Sequence, residues 1–295
     1  MNSITVRAPA KVNLFLKILS KRKDRYHNIH TLFERISLYD TIRISRAQKG
    51  IIVRTDKPIT KDPKDNIVYK AAQAVLNRKR VKGGVRIDIK KRIPIAAGLG
   101  GGSSDAAAAL IGINKLFNLR LDRGTLMRIG RSLGADVPFF LLGAQFAVGK
   151  GIGDDLGIVK IKRRLWHILV YPGFKVSTKD VYRVFDSLPG RSSKGLTYSR
   201  QGAKIQTPLT GYKNMEQLLY NDLERATLVQ KSVIGCILES LAQLLGKKFI
   251  VSGSGPSLFC LYGTGKEAIK AKRTILRRMP ANRRRGWQIF VVKTS

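Results

Sequence analysis

Apolar and polar residues alternate along the first part of the chain. Between positions 11 and 18 the even-numbered residues are Val, Leu, Leu and Ile, whereas the odd-numbered residues are Lys, Asn, Phe and Lys. A period of two is typical of a β-strand, and alternate side chains of a strand point to the same face. We therefore expect Lys11 and Asn13 to lie side by side. Similar patterns predict strands over 4–6, 40–45, 50–55 and 85–90.

Helical spacing occurs twice in the first half. The segment 121–141 predicts a helix that ends at Gly134, after which Pro138 should push Val137 towards extended backbone. The segment 66–77 predicts a helix whose apolar face carries Ile67, Ala71, Ala74 and Val75.

The second half contains strands and helices in another order. The predicted elements are a strand at 166–172, a loop-rich stretch at 187–208, helices around Met215 and Ser232, two strands about a Gly-Ser-Gly turn at 248–263, a helix from Lys266, and a strand at 287–293. This order is typical of a ferredoxin-like domain. The glycine-rich segment 148–157 is expected to be a mobile loop near a domain boundary, and the whole chain is expected to have an α+β fold of two domains.

The segment PIAAGLGGGSSDAAAAL, residues 94–110, has four glycines in front of an alanine-rich helix. Ser103, Ser104 and Asp105 favour a helix start. A strand, a glycine-rich turn and a helix in this order form a cradle for phosphate, because the first N–H groups of a helix lack internal partners and lie at the positive end of its dipole. The spacing matches neither a Walker A loop nor the dinucleotide-binding pattern. The alternative is a tight structural turn that binds nothing.

Charge is the most unusual property of the composition. Lysine and arginine total 56 against 19 acidic residues, which gives a net charge of +37. Such a chain attracts polyanions, so nucleic-acid binding is a rival function. The basic clusters are scattered along the chain, however, and match no DNA- or RNA-binding module. A basic surface that draws in phosphorylated substrates is the other explanation.

Several classes of protein are excluded by other features. The apolar fraction of 43% is enough for a core, and no apolar stretch is long enough to cross a membrane. The first ten residues lack a signal-peptide pattern. Two cysteines form neither a disulfide framework nor a zinc site, so a cytoplasmic location is expected. His27 and His30 have no acidic or cysteine neighbours in the sequence, which favours surface or turn positions over a metal site.

Three segments together resemble the motifs of the GHMP kinases, a family of small-molecule kinases. They are APAKVNLFLKI at 8–18, the glycine-rich segment 94–110, and VSGSGPSLFCL at 251–261. The resemblance implies a GHMP kinase fold with an N-terminal ATP-binding domain over 1–160 and a C-terminal ferredoxin-like substrate domain over 161–295. It also implies ATP and Mg²⁺ as cofactors.

Other segments are similar to one branch of that family, namely RYHNIHTLFERISLYD, DNIVYKAA, GADVPFFL and VSTKDVY. That branch phosphorylates the 2-hydroxyl of a cytidine-diphosphate-linked methylerythritol in the non-mevalonate isoprenoid pathway. The expected partner is therefore a small molecule, and neither a specific nucleic acid nor a membrane. Arg25 departs from the branch, which usually has glycine at this position.

Two alternatives stay open beside this branch. Homoserine and mevalonate kinases belong to the same family, but their acceptors carry no base on which an aromatic residue could stack. The other alternative is a basic nucleic-acid-binding protein on a kinase scaffold, because a fold alone does not establish an activity. The oligomeric state is left open.

The resemblance assigns the catalytic pair to Lys11 and Asp136. The acceptor is a tertiary alcohol, which is a poor nucleophile and needs a base within hydrogen-bond reach. Asp136 matches the family's catalytic aspartate. Lys11 matches the catalytic lysine, whose charge stabilises the developing negative charge on the acceptor oxygen. Without the resemblance, Asp136 would fit equally well as a turn residue, and Lys11 would fit better as one more surface lysine.

The remaining assignments divide between the two substrates. The resemblance assigns adenine binding to Asn66 and phosphate binding to Pro94, Ile95, Ala96, Ala97, Gly98, Leu99, Gly100, Gly101, Gly102, Ser103 and Ser104. The positions assigned to the acceptor are Asn13, Tyr26, His27, Thr178, Tyr182, Gly253 and Gly255. Tyr26 and Tyr182 would stack on the pyrimidine while His27 contacts its edge; the alternative is that both tyrosines are ordinary core residues. Metal ligands are not assigned, and Ser104 and Asp105 are candidates.

Overall fold

The computed structural model describes residues 2–79, 81–189 and 212–295. These residues form two β-sheets, one of seven strands and one of four. The first sheet contains β1 (Ser3–Lys21), β2 (His27–Ala47), β3 (Ile51–Thr55), β4 (Gly84–Lys90), β5 (Phe146–Lys150), β6 (Asp155–Val159) and β8 (Tyr220–Asn221). The second contains β7 (Trp166–Tyr171), β9 (Ile250–Val251), β10 (Leu258–Tyr262) and β11 (Gln288–Lys293).

The long antiparallel pair of β1 and β2 forms the centre of the first sheet. β1 has 19 residues and β2 has 21, so the predicted strands at 4–6 and 11–18 are parts of a single strand. The pairing shifts register between Asn13 and Phe15. Such a bulge bends a strand and re-aims its side chains. The predicted strands at 40–45, 50–55 and 85–90 are confirmed as parts of β2, β3 and β4.

Four helices cover the first sheet: α1 (Ile67–Lys79), α2 (Gly101–Leu116), α3 (Arg123–Leu133) and α4 (Val137–Leu142). A short 3-10 helix at Pro63–Asp65 precedes α1. Small side chains let α2 lie close to the sheet, because its run of four alanines, 106–109, is buried. The buried face of α1 differs from the predicted one. Val68, Ala72 and Leu76 are buried with Ala71 and Val75, whereas Ile67 and Ala74 are half-buried.

The second sheet has the strand order β11-β7-β10-β9, and all its pairs are antiparallel. With the helices between its strands, this is the predicted ferredoxin-like arrangement. One face, which includes Leu169 and Phe259, packs towards the first sheet, and the other, which includes Val170 and Cys260, packs under helices. The α+β class is thereby confirmed. The helices of this half are α5 (Thr178–Ser187), α6 (Tyr212–Gln217), α7 (Leu223–Gln230), α8 (Val233–Leu245) and α9 (Gly265–Arg278).

The glycine-rich segment 148–157 is not the predicted mobile loop. It forms most of the antiparallel hairpin of β5 and β6. Its Gly149 is needed for close packing, because a Cβ there would lie 2.7 Å from Cε2 of Phe33 on β2. Gly149 therefore marks a close approach between β5 and β2.

The segment 121–141 contains the predicted helix and a second, shorter one. α3 ends at Leu133 with Gly134 as its cap, as predicted, and α4 then begins at Val137. The expectation of extended backbone at Val137 is wrong, because Pro138 lies in the first turn of α4, where a missing N–H costs no hydrogen bond.

The proposed division between residues 160 and 161 stays a prediction. β6 ends at Val159 and β7 of the second sheet begins at Trp166, but β8 returns to the first sheet and pairs in parallel with β1. From residue 190 onward, the predicted loop-rich stretch at 187–208 lies outside the described residues.

The last two residues of the chain link the two sheets. Leu165, just before β7, donates its N–H to Oγ1 of Thr294 at 2.8 Å, and that hydroxyl donates to Oε1 of Glu34 on β2 at 2.7 Å. Ser295 donates its N–H to the carbonyl of Arg35 at 2.9 Å. β2, β7 and the C-terminal end are therefore held at one point.

Among the described residues, no single helix combines the length and the apolar composition of a membrane span. One pair, α7 and α8, passes that test only when taken together, and the two helices are bent by 117° relative to each other.

Candidate active site

Lys11 and Asn13 lie side by side on β1, as the alternation predicts. Nζ of Lys11 donates to Oδ1 of Asn13 at 2.6 Å, and Nδ2 of Asn13 donates to Oγ1 of Thr31 at 2.8 Å. Thr31 in turn donates to the carbonyl of Phe15 at 2.7 Å. This chain of hydrogen bonds holds the buried ammonium of Lys11 in one orientation.

Asp136 is brought to the same place by the start of α4. The residue occupies the N-cap position, but its side chain makes no capping hydrogen bond. Its Oδ2 instead lies 3.5 Å from Nζ of Lys11, and the side chain is 31% exposed. A carboxylate that is paired with a lysine and still reached by solvent can accept a proton from a bound hydroxyl group.

The glycine-rich loop is anchored through its carbonyl groups. The carbonyl of Leu99 accepts from the N–H of Lys11 at 3.0 Å, and the carbonyl of Gly98 accepts from Oγ of Ser252 at 3.1 Å. The carbonyl of Ala97 accepts from the N–H of Ser257 at 3.3 Å. β1 and the turn between β9 and β10 are thereby joined to the loop that precedes α2.

Helix α2 begins earlier than the serine pair predicts. Its first residue is Gly101, and its N-cap is Gly100, with φ of 67° and no side chain to cap the helix. The N–H groups of the first turn of an α-helix have no partner within the helix. Here they belong to glycines and to Ser103, so a phosphate group can approach the backbone directly.

Asp105 does not fit a metal ligand. Its Oδ2 accepts from Nζ of Lys91 at 2.6 Å, and the same ammonium donates to Oδ2 of Asp40 at 2.5 Å. All three side chains are buried. Asp40 also accepts from the N–H groups of Arg92 and Ile93, where the loop begins. Asp105 therefore belongs to a buried ionic cluster that ties the two ends of the loop together.

The other metal candidate, Ser104, is also buried, and its Oγ has no hydrogen-bond partner within the described part of the chain. Those same residues contain no group of three or more His, Cys, Asp or Glu side chains that could hold a metal. The metal ligands stay unassigned.

Asn66 lies directly before α1 and caps that helix. Its buried Oδ1 accepts from the N–H of Val68 at 2.9 Å. The neighbouring Ile67 lies beside the start of α2, because a Cβ on Gly102 would be 3.8 Å from Cγ2 of Ile67. The segment assigned to adenine is thus next to the phosphate cradle.

The turn between β9 and β10 brings Gly253 to the pair of Lys11 and Asp136. A Cβ at Gly253 would lie 3.3 Å from Oδ1 of Asn13 and 3.6 Å from Nζ of Lys11, and its φ is 57°. Gly255 lies elsewhere: a Cβ there would lie 2.9 Å from Val251 and 3.0 Å from Thr227. The third motif therefore contributes Gly253 to the site, while Gly255 permits packing against α7.

Helix α5 runs from this turn to the far side of the site. At its first residue, Oγ1 of Thr178 lies 2.8 Å from Oγ of Ser254. One turn later, burial and then the charge of Asp136 raise the pKa of Tyr182 to about 12. Both effects favour the neutral form of the Tyr182 phenol.

His27 is buried, which corrects the expectation of a surface or turn position. Its ring stacks on Tyr182 with centroids 5.0 Å apart and planes 25° apart, and its Nε2 lies 2.8 Å from Oδ1 of Asp186. Nζ of Lys21 lies 2.6 Å from the other oxygen of Asp186. Sequence reasoning missed Asp186; the signal available was its spacing of four residues from Tyr182, which places both on one side of α5.

Tyr26 is 60% exposed and begins the approach to β2. The preceding Arg25 has φ of 69°, a left-handed conformation that glycine adopts without strain. Arg25 therefore occupies a turn position whose conformation would suit glycine better. Tyr26 thus lies at the rim of the site, with the His27–Tyr182 stack inside.

Comparisons with known proteins place this geometry in a family. The model of the GHMP kinases N terminal domain matches residues 66–144. A 4-diphosphocytidyl-2-C-methyl-D-erythritol kinase from Syntrophus aciditrophicus is 37% identical over 294 residues, 99% of each chain. One from Moorella thermoacetica is 39% identical over 276 residues, 91% of this chain and 93% of the relative.

A solved structure agrees with these relatives. The crystal structure of a 4-(cytidine 5'-diphospho)-2C-methyl-D-erythritol kinase superimposes with a TM-score of 0.79 at 30% identity, over 98% of each chain. The chain is a kinase with the GHMP fold and belongs to the family of 4-diphosphocytidyl-2-C-methyl-D-erythritol kinases.

Proposed function

We propose that the chain transfers the γ-phosphoryl group of ATP to the 2-hydroxyl of 4-diphosphocytidyl-2-C-methyl-D-erythritol, a step of the non-mevalonate isoprenoid pathway. The relatives share a name that identifies the acceptor, and membership of the kinase family implies ATP as the co-substrate. The observation that carries the proposal is the 3.5 Å pair of Lys11 and Asp136, at the meeting point of all three motifs.

Asp136 acts as the general base. Its carboxylate accepts the proton of the acceptor hydroxyl while that oxygen forms a bond to the γ-phosphorus, and the bond from this phosphorus to the bridging oxygen breaks to release ADP. The ammonium of Lys11 stabilises the negative charge on the reacting oxygens. Because Asn13 already orients that ammonium, little rearrangement is needed during the transfer.

The glycine-rich loop binds the phosphates of ATP. Its carbonyls are occupied by Lys11, Ser252 and Ser257. The first N–H groups of α2 therefore remain the groups available to an anion, and the helix dipole adds to their attraction. Asn66 and the start of α1 border the adenine.

Magnesium is expected to accompany ATP, and its chemistry is to neutralise charge between the outer phosphates. Asp105 is committed to Lys91 and does not fit as its ligand. The proton transfer uses the side chain of Asp136, and the substrates are positioned by side chains and backbone N–H groups of the chain.

The acceptor's cytosine is held at the aromatic end of the site. Tyr26 at the rim and the stacked pair of His27 and Tyr182 supply aromatic faces, and His27 contacts the polar edge of the base. Thr178 and Gly253 border the diphosphate. This aromatic set has no use in homoserine or mevalonate kinases, whose acceptors carry no base.

A cytoplasmic location and a small-molecule partner complete the proposal. Cys236 is exposed and Cys260 is buried, and both are free thiols. Free cysteines suit a reducing compartment.

A coupled assay of ADP release tests the function directly. We expect ATP turnover with 4-diphosphocytidyl-2-C-methyl-D-erythritol, and none above background with homoserine or mevalonate. Turnover of either of those two acceptors, with none of the cytidylated compound, would contradict the proposal. A phosphorus NMR spectrum of the product locates the new phosphate on the 2-oxygen.

A further inference from the structure

We propose that Asp186 is a positioning residue that selects cytosine: by accepting the Nε2 proton of His27, it leaves Nδ1 of that ring as an acceptor for the amino group of the base. The inference rests on the proposed function in one respect, namely that His27 contacts the pyrimidine edge. Asp186 itself touches the histidine and has no direct role in phosphoryl transfer.

The contact between the two side chains is close and partly shielded from solvent. Nε2 of His27 and Oδ1 of Asp186 are 2.8 Å apart, and His27 is 6% exposed. The ring is fixed on its faces as well: it stacks on Tyr182 and meets the edge of Phe185 at 6.1 Å between centroids. These contacts leave the imidazole little freedom to rotate or flip.

Lys21 keeps Asp186 ionised. Its Nζ lies 2.6 Å from Oδ2 of Asp186, and Lys21 is the strand partner of His27 across β1 and β2. Burial opposes the charge, but the hydrogen bonds from Lys21 and His27 outweigh it and hold the pKa of Asp186 below its usual range. The histidine therefore faces a carboxylate, which only accepts hydrogen bonds.

The tautomer follows from this pairing. A neutral imidazole has one N–H and one lone pair, and the partner of one nitrogen decides the state of the other. With a carboxylate at Nε2, the proton lies on Nε2 and Nδ1 carries the lone pair.

The consequence is a preference between two pyrimidines. Cytosine presents an amino donor at the position where uracil presents a carbonyl oxygen. A lone pair on Nδ1 accepts from the amino group and repels the carbonyl. A site built to hydrogen-bond one group rejects an analogue that lacks it more strongly than stacking alone can.

The tautomer is measured first, without substrate. The protein labelled with ¹⁵N in its three histidines is examined by NMR at pH 8, and the His27 signals are identified by their loss in His27→Gln. We expect the spectrum of a neutral ring protonated at Nε2. A ring protonated at Nδ1, or at both nitrogens, overturns the proposal.

Substrate selectivity is measured second. The ratio of kcat/KM for the cytidylated substrate to that for its uridine counterpart should fall by about 10- to 100-fold in Asp186→Asn, mainly through KM, because an amide can donate as well as accept. Asp186→Glu, which keeps a carboxylate, should retain most of the preference. Asp180→Asn is the matched control on α5, since its side chain pairs with the exposed Arg183.

The outcomes separate this inference from the proposed function. If the wild type phosphorylates neither nucleotide-linked substrate, the proposed function fails, while the NMR result still tests the pairing. If the wild type is active and folded Asp186→Asn keeps the wild-type ratio, the selecting role of Asp186 is wrong. Circular dichroism confirms that each variant is folded.

Discussion

Asp136 occupies a helix N-cap position without capping the helix. An aspartate at this position usually accepts a hydrogen bond from the first turn, and losing that bond costs about 1 kcal/mol. Here the carboxylate faces Lys11 instead. The carboxylate is thus left free of the helix and faces a charged partner on another element, as the proposed role of Asp136 as general base needs.

Asp136→Asn should lower kcat by about 10²- to 10⁴-fold, because the amide cannot take the proton of the acceptor. ATP affinity and folding should change little, since the helix is not capped by this side chain. Steady-state kinetics and calorimetry with ATP measure both effects. Asp155→Asn, at an exposed position on β6, is the control. Turnover near the wild-type rate in folded Asp136→Asn would remove Asp136 from the role of base.

At the scale of single residues, sequence reasoning succeeded where local geometry decides. Alternation along β1 was enough to place Lys11 beside Asn13, because neighbours at i and i+2 share a face in any strand. It failed for His27, whose acidic partner is 159 positions away. When the residues that bury a side chain belong to a helix far along the chain, the sequence around that side chain does not show that it is buried.

At the scale of elements, the glycine-rich loop and the turn between β9 and β10 behave as one unit. Gly98 has φ of 75°, and a Cβ there would lie 2.1 Å from the carbonyl oxygen of Ser252. Gly102, four residues later, has 3.8 Å of clearance to Ile67. The two glycines thus serve different purposes, which a pair of alanine substitutions can separate.

Gly98→Ala should reduce the free energy of unfolding by at least about 2 kcal/mol, because it combines left-handed strain with a backbone clash. Gly102→Ala should leave it unchanged or raise it by up to about 1 kcal/mol, since alanine is the better helix former. Urea denaturation of both variants measures the difference. Equal free energies of unfolding for the two variants would mean that the turn between β9 and β10 does not pack closely against Gly98.

The buried cluster beneath the loop should make stability depend on pH. Burial, with the Asp40 charge adding to it and Lys91 opposing it, raises the pKa of Asp105 to about 8. In the unfolded chain an aspartate titrates near about 3.9. Between these values the folded protein holds a proton that the unfolded chain has lost, so the free energy of unfolding falls as pH rises.

The variant Asp105→Asn lacks this carboxyl group, so no proton titrates at this position. The stability of the wild type relative to Asp105→Asn should therefore decline from about pH 5 to about pH 8 and level off above. Urea titrations of both proteins across this range test the slope. A difference that stays constant with pH would show that Asp105 titrates normally.

The hairpin of β5 and β6 illustrates why some elements escape prediction. The four glycines in 148–157 are typical of a flexible loop. In the fold the segment is a hairpin, in which Gly149 packs against Phe33 on β2, while Gly151 and Gly153 have the positive φ angles of a turn. Glycine content alone does not show whether a glycine makes a loop flexible or lets two strands pack closely.

At the scale of the whole molecule, the site joins the two sheets. Tyr26 follows the end of β1 in the first sheet, whereas Tyr182 lies on α5, which follows β7 in the second. The order of elements predicted the second sheet and several strands of the first, but it could not show that α5 would stack a tyrosine on a histidine of β2. Contacts between units depend on packing that no local pattern encodes.

Tyr26→Ala and Tyr182→Ala should each raise KM for the cytidylated substrate by about 10- to 100-fold and spare the affinity for ATP. Stacking on an aromatic ring contributes roughly 1–3 kcal/mol per base in nucleic-acid complexes. Tyr26→Phe and Tyr182→Phe keep the rings and are the controls. If the acceptor KM is unchanged in the alanine variants, or ATP affinity falls equally, the acceptor is not held by its base.

The net charge of +37 should produce weak, steeply salt-dependent binding to duplex DNA, as counterion release requires. Filter binding across a range of salt concentrations measures it. Replacing Lys266, Lys270 and Arg273 on α9 with glutamine should weaken binding as much as replacing Lys160, Lys162 and Arg163, because each set removes three exposed charges. Tight, sequence-selective binding at physiological salt would instead support the nucleic-acid function.

The hydrogen bonds of the last two residues decide how the protein should be handled. Ser295 is engaged through its N–H, its hydroxyl beside Tyr39, and its carbonyl oxygen, which accepts from Arg35. An affinity tag fused after Ser295 would be attached to a residue that links the two sheets. It would disturb the neighbouring hydrogen bond between Thr294 and Glu34. A tag placed before the exposed Asn2 avoids this point, so the variants above are best purified from that end.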